Sequence, residues 1–137
     1  MSCAGRLIER LAPLVWRELF PVAIDFRISQ CRVAFGGGEA YPEASVFRRE
    51  LQTLADSHVA RNLPVHVARV NDRLQRVTIG EFPPFGSFDE IFPTSLGELG
   101  RVEVTNVASF GGRFQVRFRV TAPADCVVEI RRRSQRP

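Results

Sequence analysis

Hydrophobic and polar residues alternate most regularly in the stretch GRFQVRFRVT, residues 112–121. From residue 113 to residue 120, phenylalanine and valine occupy the even positions, while arginine and glutamine occupy the odd ones. Because successive side chains of a β-strand point to opposite faces of a sheet, this pattern predicts a strand with one buried and one cationic face. We therefore expect Phe114 and Phe118 in the core. The cationic side chains expected in water are Arg113, Arg117 and Arg119.

Two segments have the periodicity of amphipathic helices. The first predicted helix covers residues 3–20, with a kink or a division into two short helices at Pro13 and an end at Pro21. The second covers residues 42–61, and Asn62 follows it as a residue suited to a left-handed helix end. The apolar stripe of the second helix comprises Phe47, Leu51, Leu54, Ala55 and His58.

Most of the remaining chain has the period of two that is typical of strands. Between residues 22 and 35 the apolar positions change from even to odd, which places an extra residue near Ser29–Gln30. This change indicates either a bulge or a break between two strands. Asn71–Asp72 is predicted to turn the chain between the next two strands. The later predicted strands cover residues 64–70, 73–81, 101–108, 113–121 and 126–131.

This order of elements predicts an α+β fold, with a curved, mostly antiparallel sheet packed on the kinked N-terminal helix and the one long helix. Cone-shaped cystatin-like and NTF2-like domains resemble it in element order, a likeness that no motif supports. The chain of 137 residues has the size of one compact domain. We expect a single domain over residues 1–131 and a basic C-terminal tail over residues 132–137.

One long connection, residues 80–100 (GEFPPFGSFDEIFPTSLGELG), follows no period. Two interpretations stay open: a lid that packs its apolar side chains onto the open end of the sheet, and an arm that docks on another protein chain. Ser95 and Glu98 have the spacing of a capping pair for one short helical turn. The large apolar residues of this Phe-rich segment are Phe82, Phe85, Phe88, Ile91 and Phe92.

Composition matters mainly through the cations. All nineteen basic residues are arginine, and the formal net charge is +4. The absence of lysine excludes Schiff-base catalysis, the anchoring of pyridoxal phosphate and the lysine-dependent phosphate loop. A genomic bias toward arginine codons accounts for such usage, and selection of the guanidinium group for carboxylate or phosphate contacts is the alternative. A net charge this small does not by itself indicate a nucleic-acid-binding protein.

Motifs for metal binding and hydrolysis are absent from the sequence. His58 and His66 are isolated, and neither Cys-x-x-Cys, His-Glu-x-x-His nor Gly-x-Ser-x-Gly occurs. We therefore expect no metal and no cofactor, and the sequence favours a protein that is not an enzyme without deciding the question. His58 is the one weak catalytic candidate. Burial would lower its pKa and suit a general base, whereas the alternative is a hydrogen-bonded core histidine.

The expected location is inside the cell, in the cytoplasm or in a macromolecular particle. The sequence has no run of about eighteen apolar residues for a membrane span and no recognisable signal peptide. Its cysteines are odd in number and lack metal-like spacing, which indicates reduced, buried thiols. They are Cys3, Cys31 and Cys126.

Three functional hypotheses follow. The first is a non-catalytic assembly module that docks on a protein partner, or on itself, through the Phe-rich segment and the arginine-bearing sheet face. The second is binding of nucleic acid or another polyanion through phosphate contacts. Base stacking is not expected, because the aromatic rings of the strand, Phe114 and Phe118, are predicted to face the core. The third is a small pocket protein or enzyme with His58 in the cavity. The candidate anion-binding residues are Arg113, Arg117, Arg119, Arg131, Arg132 and Arg133.

Overall fold

The computed structural model describes residues 2–26, 31–37, 43–88, 92–110 and 113–121. The helices are α1 (Ser2–Val15) and α2 (Ala44–Ala60), and a short 3-10 helix covers Leu96–Leu99. The strands are β1 (Phe20–Phe26), β2 (Cys31–Gly36), β3 (Val65–Arg69), β4 (Leu74–Ile79), β5 (Phe85–Phe88), β6 (Arg101–Phe110) and β7 (Arg113–Thr121).

The seven strands of the described ranges form two antiparallel sheets. Sheet A has the order β1-β2-β7-β6, and sheet B has the order β3-β4-β5. The predicted α+β class and the antiparallel pairing are confirmed, but the strands divide into two sheets where the sequence predicted one curved sheet. Alternation shows which face of a strand is buried and not which strand lies beside it, so this division was not readable from the pattern.

Strand β7 lies between β2 and β6 and carries the predicted alternation. Phe114 is fully buried and Phe118 is 2 % exposed. Arg113 and Arg119 are exposed as predicted, whereas Arg117 is half-buried. The Phe114 ring meets the edge of the Phe47 ring of α2, with 4.8 Å between ring centroids. This T-shaped contact joins the apolar stripe of the long helix to the centre of sheet A.

Helix α1 is shorter than the sequence predicted. It runs unbroken through Pro13, so it is not divided there into two short helices. It ends at Val15, and the chain then turns so that the Leu19 N–H donates to the Trp16 carbonyl oxygen. This turn buries Leu19. Leu19 therefore fits the apolar spacing of a helix although it lies beyond the end of α1. The predicted end at Pro21 is also wrong, because Pro21 lies inside β1. Strand β1 is an edge strand of sheet A, where a missing N–H is tolerated.

Helix α2 confirms the second predicted helix within two residues at its start and one at its end. Its buried residues are Phe47, Leu51 and Ala55, and His58 is half-buried. Asn62 adopts the expected left-handed conformation, with φ of 51°. The Asn62 Oδ1 atom accepts a hydrogen bond from the Gly97 N–H at 2.7 Å. The end of α2 is therefore attached to the 3-10 helix.

Two further predictions from periodicity are confirmed. The change of parity marks a break, because β1 and β2 are separate strands that pair up to Phe26 and Cys31. The Asn71 turn is present, and its Oδ1 atom accepts the N–H groups of Arg73 and Leu74 at 2.9 and 3.0 Å. Cys31 is buried, as is Cys3. The predicted strand 126–131, Cys126 and the tail 132–137 lie outside the described residues.

The outer edge of sheet A at β6 is covered by α2. Gln52 Nε2 donates to the Val102 carbonyl oxygen at 2.9 Å, and Gln52 Oε1 accepts the Val104 N–H at 2.7 Å. The side-chain amide thus makes the two bonds that a neighbouring strand would make. A register irregularity between Val104 and Asn106 follows on the same strand. Both features disfavour edge-to-edge pairing with another chain.

Replacing Gln52 by leucine should destabilise the fold by about 1–3 kcal/mol, because the partly buried carbonyl of Val102 and N–H of Val104 lose their partners. Urea unfolding measures this loss. The matched control is Gln115→Leu, the same substitution at a half-buried position of β7, which should change the free energy of unfolding by less than about 0.5 kcal/mol. Equal losses for the two variants would contradict the role of Gln52.

Candidate functional site

The phenylalanines of the Phe-rich segment divide into two groups. Phe82, Phe85 and Phe92 are half-buried and pack against the main hydrophobic cluster. The centroids of the Phe85 and Phe92 rings are 6.0 Å apart, and the guanidinium carbon of Arg6 lies 5.0 Å from the Phe85 centroid. Phe88, in contrast, is 74 % exposed. Ile91 lies outside the described residues.

Hydrogen bonds give the Phe-rich segment an order that its sequence did not reveal. Its first part contributes β5 to sheet B, and near its end the Thr94 carbonyl accepts the Val65 N–H at 2.9 Å. The predicted helical turn is present at Leu96–Leu99, but the predicted capping pair is wrong because Ser95 makes no side-chain capping bond. The Glu98 carboxylate instead accepts a hydrogen bond from the Thr94 hydroxyl.

Phe88 lies on the face of sheet B that points away from the core. In the register of β4 and β5 it stands opposite Leu74, while Arg76 stands opposite Gly86. Opposed residues of an antiparallel pair share a face, so Leu74, Arg76 and Phe88 form one surface, here termed the outer face of sheet B. A cleft of about 280 Å³ borders it, lined by Val70, Leu74, Gln75, Arg76, Pro84, Phe85 and Gly86.

The predicted arginine face of β7 lies on the outer side of sheet A. Arg119 stands opposite Glu103, and its Nε donates to Glu103 Oε2 at 2.7 Å. Among the residues that the structure describes, no carboxylate lies within ion-pair distance of Arg113 or Arg117. Of the three predicted anion-binding residues on β7, Arg119 is therefore paired with a carboxylate of the neighbouring strand. The others on that list, Arg131, Arg132 and Arg133, lie outside the described ranges.

A second cationic surface, which the sequence reasoning missed, lies between α2 and the edge of β6. This α2–β6 groove has a volume of about 480 Å³. Its lining residues are Ser45, Arg48, Arg49, Gln52, Thr53, Arg101, Glu103 and Val104. The sequence placed Arg48 and Arg49 on the second helix and Arg101 at the start of a strand. It carried no signal that this helix and this strand lie side by side.

Glu103 connects the groove to the arginine face. The hydrogen bond from Arg119 is the largest effect on its carboxyl and lowers the pKa of Glu103. Partial desolvation opposes this shift, and the positive charges of Arg119, Arg101 and Arg48 add to it. On the same side of the groove, Arg101 Nε lies 3.7 Å from Asp56 Oδ1. The Glu103 carboxylate is thus ionised, and its hydrogen-bonding partner is Arg119 of β7.

The weak catalytic candidate His58 lies at the end of α2 beside Phe82. Its Nδ1–H donates to the Leu54 carbonyl at 2.8 Å, since a carbonyl only accepts. Its ring stacks on that of Phe82, with centroids 5.6 Å apart. The adjoining cleft of about 220 Å³ is lined by His58, Arg61, Leu63, Glu81 and Phe82, a set without a hydroxyl or thiol nucleophile. His66 is exposed on β3.

Neither models of known protein families nor curated protein sequences match this chain. Within the described ranges, no three His, Cys, Asp or Glu side chains converge as a metal site would require. No helix in the same ranges is long and apolar enough to cross a membrane. The geometry of the two sheet faces and of the α2–β6 groove is therefore the basis for assigning a function.

Replacing Arg119 by glutamine should raise the pKa of Glu103 toward its ordinary value, because the strongest hydrogen bond and one positive charge are lost. A lowered pKa in the folded state means that the carboxylate stabilises the fold above its unfolded pKa. That contribution disappears as the pH falls through the lowered value. In the variant, this acid loss of stability should therefore be smaller and should be complete at a higher pH.

Titration of the Glu103 carboxyl carbon by NMR measures this shift directly. The control is Arg113→Gln, which removes an exposed arginine from the same strand and should leave the pKa of Glu103 unchanged. An unaltered Glu103 titration in Arg119→Gln would show that the ion pair does not form in solution.

Proposed function

We propose that this protein is a non-catalytic assembly module that binds another protein chain through the outer face of sheet B. The observation that carries the proposal is the exposure of Phe88, of which 74 % is accessible to solvent. Three other phenylalanines of the same segment pack against the body of the protein. The segment therefore buries most of its phenylalanine rings against the protein but leaves the Phe88 ring in solvent.

The neighbours of Phe88 support a protein partner. Leu74 widens the apolar surface, Arg76 lies beside it, and the adjacent cleft is lined mainly by apolar residues. Aromatic and arginine side chains are enriched in the centres of protein interfaces, where they contribute most of the binding energy. Full burial of one phenylalanine side chain contributes about 1.5–3 kcal/mol. The surface thus has the composition of a small interface centred on one ring.

Substitution of Phe88 by serine tests the assembly function. If the outer face of sheet B binds another chain, light scattering of the purified protein or stoichiometric co-purification should reveal an assembled species that Phe88→Ser abolishes. Leu14→Ser is the control, because Leu14 is 60 % exposed on α1 and lies outside this face. Both variants should unfold at the wild-type temperature.

A wild-type chain that stays monomeric and retains no partner would contradict the proposal, and so would equal loss of assembly in both variants. Phe85 is unsuitable for this test. Its ring packs against the core cluster and against Phe92, so its removal would also disturb the fold.

Polyanion binding by the outer side of sheet A is a second candidate function. It is supported by Arg113 and Arg117, which have no carboxylate within ion-pair distance among the described residues. Arginine contacts with phosphate or sulfate groups release counterions, so the affinity should fall steeply with salt.

Heparin chromatography tests this second function. The double variant Arg113→Gln/Arg117→Gln should elute at lower salt than the wild type. The control Arg73→Gln/Arg76→Gln removes the same charge from exposed positions around β4 and should elute later than the first variant. Identical elution of the two variants would show that heparin binding depends only on net charge, and it would exclude a specific role for the arginine face of β7.

A further inference from the structure

The α2–β6 groove brings together arginines from a helix and from a strand. Three arginines and one carboxylate line it, and that carboxylate, Glu103, is held by Arg119 from β7. Arg101 lies 3.7 Å from Asp56, a pair that is largely exposed and therefore weak. For Arg48 and Arg49 the structure shows no carboxylate within ion-pair distance in the described ranges.

The other polar side chains of the groove are already engaged. The Thr53 hydroxyl donates to the Arg49 carbonyl at 3.0 Å, and the Ser45 hydroxyl donates to Glu43 at 2.9 Å. Both ends of the Gln52 amide are bonded to the backbone of β6. Arg48 Nη1 makes one long hydrogen bond to the Val104 carbonyl oxygen, at 3.5 Å. The donors that remain for a ligand are the other guanidinium N–H groups, which bind anionic oxygen acceptors.

The dimensions of the groove limit the size of the anion. Its volume of about 480 Å³ lies within the range of small-molecule sites. Arg48 and Arg49 precede Asp56, beside which Arg101 lies, by seven to eight residues of α2. At 1.5 Å per residue this is a separation of roughly 11–12 Å along the helix. A single phosphate or carboxylate is too short to contact both the Arg48–Arg49 pair and Arg101, whereas a chain of two or three phosphates is long enough.

We propose that the α2–β6 groove binds a compact oligophosphate, whose oxygens accept hydrogen bonds from Arg48, Arg49 and Arg101. Each tetrahedral phosphate presents several acceptor oxygens, which suits three guanidinium groups with up to five donors each. The ligand is either a free inorganic chain or the phosphate chain of a nucleoside triphosphate. This site is distinct from the outer face of sheet B, and the two proposals stand independently.

Isothermal titration calorimetry with tripolyphosphate at about 50 mM salt tests the site, since low ionic strength preserves the electrostatic contribution. The wild type should bind with one saturable site. Arg48→Gln/Arg49→Gln should weaken binding at least tenfold, about the effect of losing one charge-assisted hydrogen bond. Arg49→Gln alone should weaken it in the same direction, and its fold is secure because the described structure shows no side-chain bond for Arg49.

Two further variants separate a specific site from general attraction to a basic protein. Arg17→Gln/Arg73→Gln lowers the net charge equally at two exposed positions outside the groove, so it should retain wild-type affinity. Glu103→Gln removes the carboxylate from the groove and should tighten binding several-fold. Phe88→Ser should leave tripolyphosphate binding unchanged, which distinguishes failure of this site from failure of the assembly function.

A parallel titration identifies the source of the phosphates. Equal affinities for tripolyphosphate and a nucleoside triphosphate indicate an inorganic chain, and tighter binding of the nucleotide shows that the base and ribose also contact the protein. The proposal is overturned if neither ligand gives saturable heat, or if the Arg17→Gln/Arg73→Gln control loses as much affinity as Arg48→Gln/Arg49→Gln. Citrate binding as tight as tripolyphosphate binding would also overturn it, because the site would then recognise carboxylates.

Discussion

The packing of α2 on sheet A is the contact on which the rest of the structure depends. One side of the helix buries Phe47 against Phe114 at the centre of the sheet, and the neighbouring side places Gln52 along the free edge of β6. The first contact removes apolar surface from water, and the second satisfies backbone groups that would otherwise attract another strand. Because both contacts act on the same helix, its rotation and its height along β6 are determined together.

This placement of α2 also creates the cationic surface. The helix turn that carries Gln52 toward β6 brings Arg48 and Arg49 beside Arg101 and Glu103 at the rim of the same edge. Glu103 lies between two sets of arginines and is bonded to the set on β7. Positive charge is therefore left in the groove, while part of the charge on the outer side of sheet A is neutralised. A single carboxylate thus links the electrostatics of both surfaces.

The Phe-rich segment shows how far pattern reading extends. Its composition marked five large apolar residues as candidates for either a lid or a docking arm. The structure places Phe82 against His58 and Phe85 against Phe92, and it leaves Phe88 on the outer face of sheet B. Five phenylalanine or isoleucine residues without a period cannot be sorted by sequence, because their exposure depends on the pairing of β5 with β4. For α1 the sequence pattern predicted too long a helix, because Leu19 has the spacing of the apolar stripe although it lies beyond the end of the helix.

By itself, the sequence determined the strand character of residues 113–121, the extent of α2 near residues 44–60, the left-handed Asn62 and the break between β1 and β2. Each of these follows from local rules, namely side-chain alternation, the spacing of an apolar stripe and the backbone preference of one residue. Only the tertiary structure decided that the strands form two sheets and that Gln52 covers β6. It also decided that Arg48, Arg49 and Arg101 share a groove. The reason is physical: these features depend on which elements become neighbours, and packing between segments about fifty residues apart sets that choice.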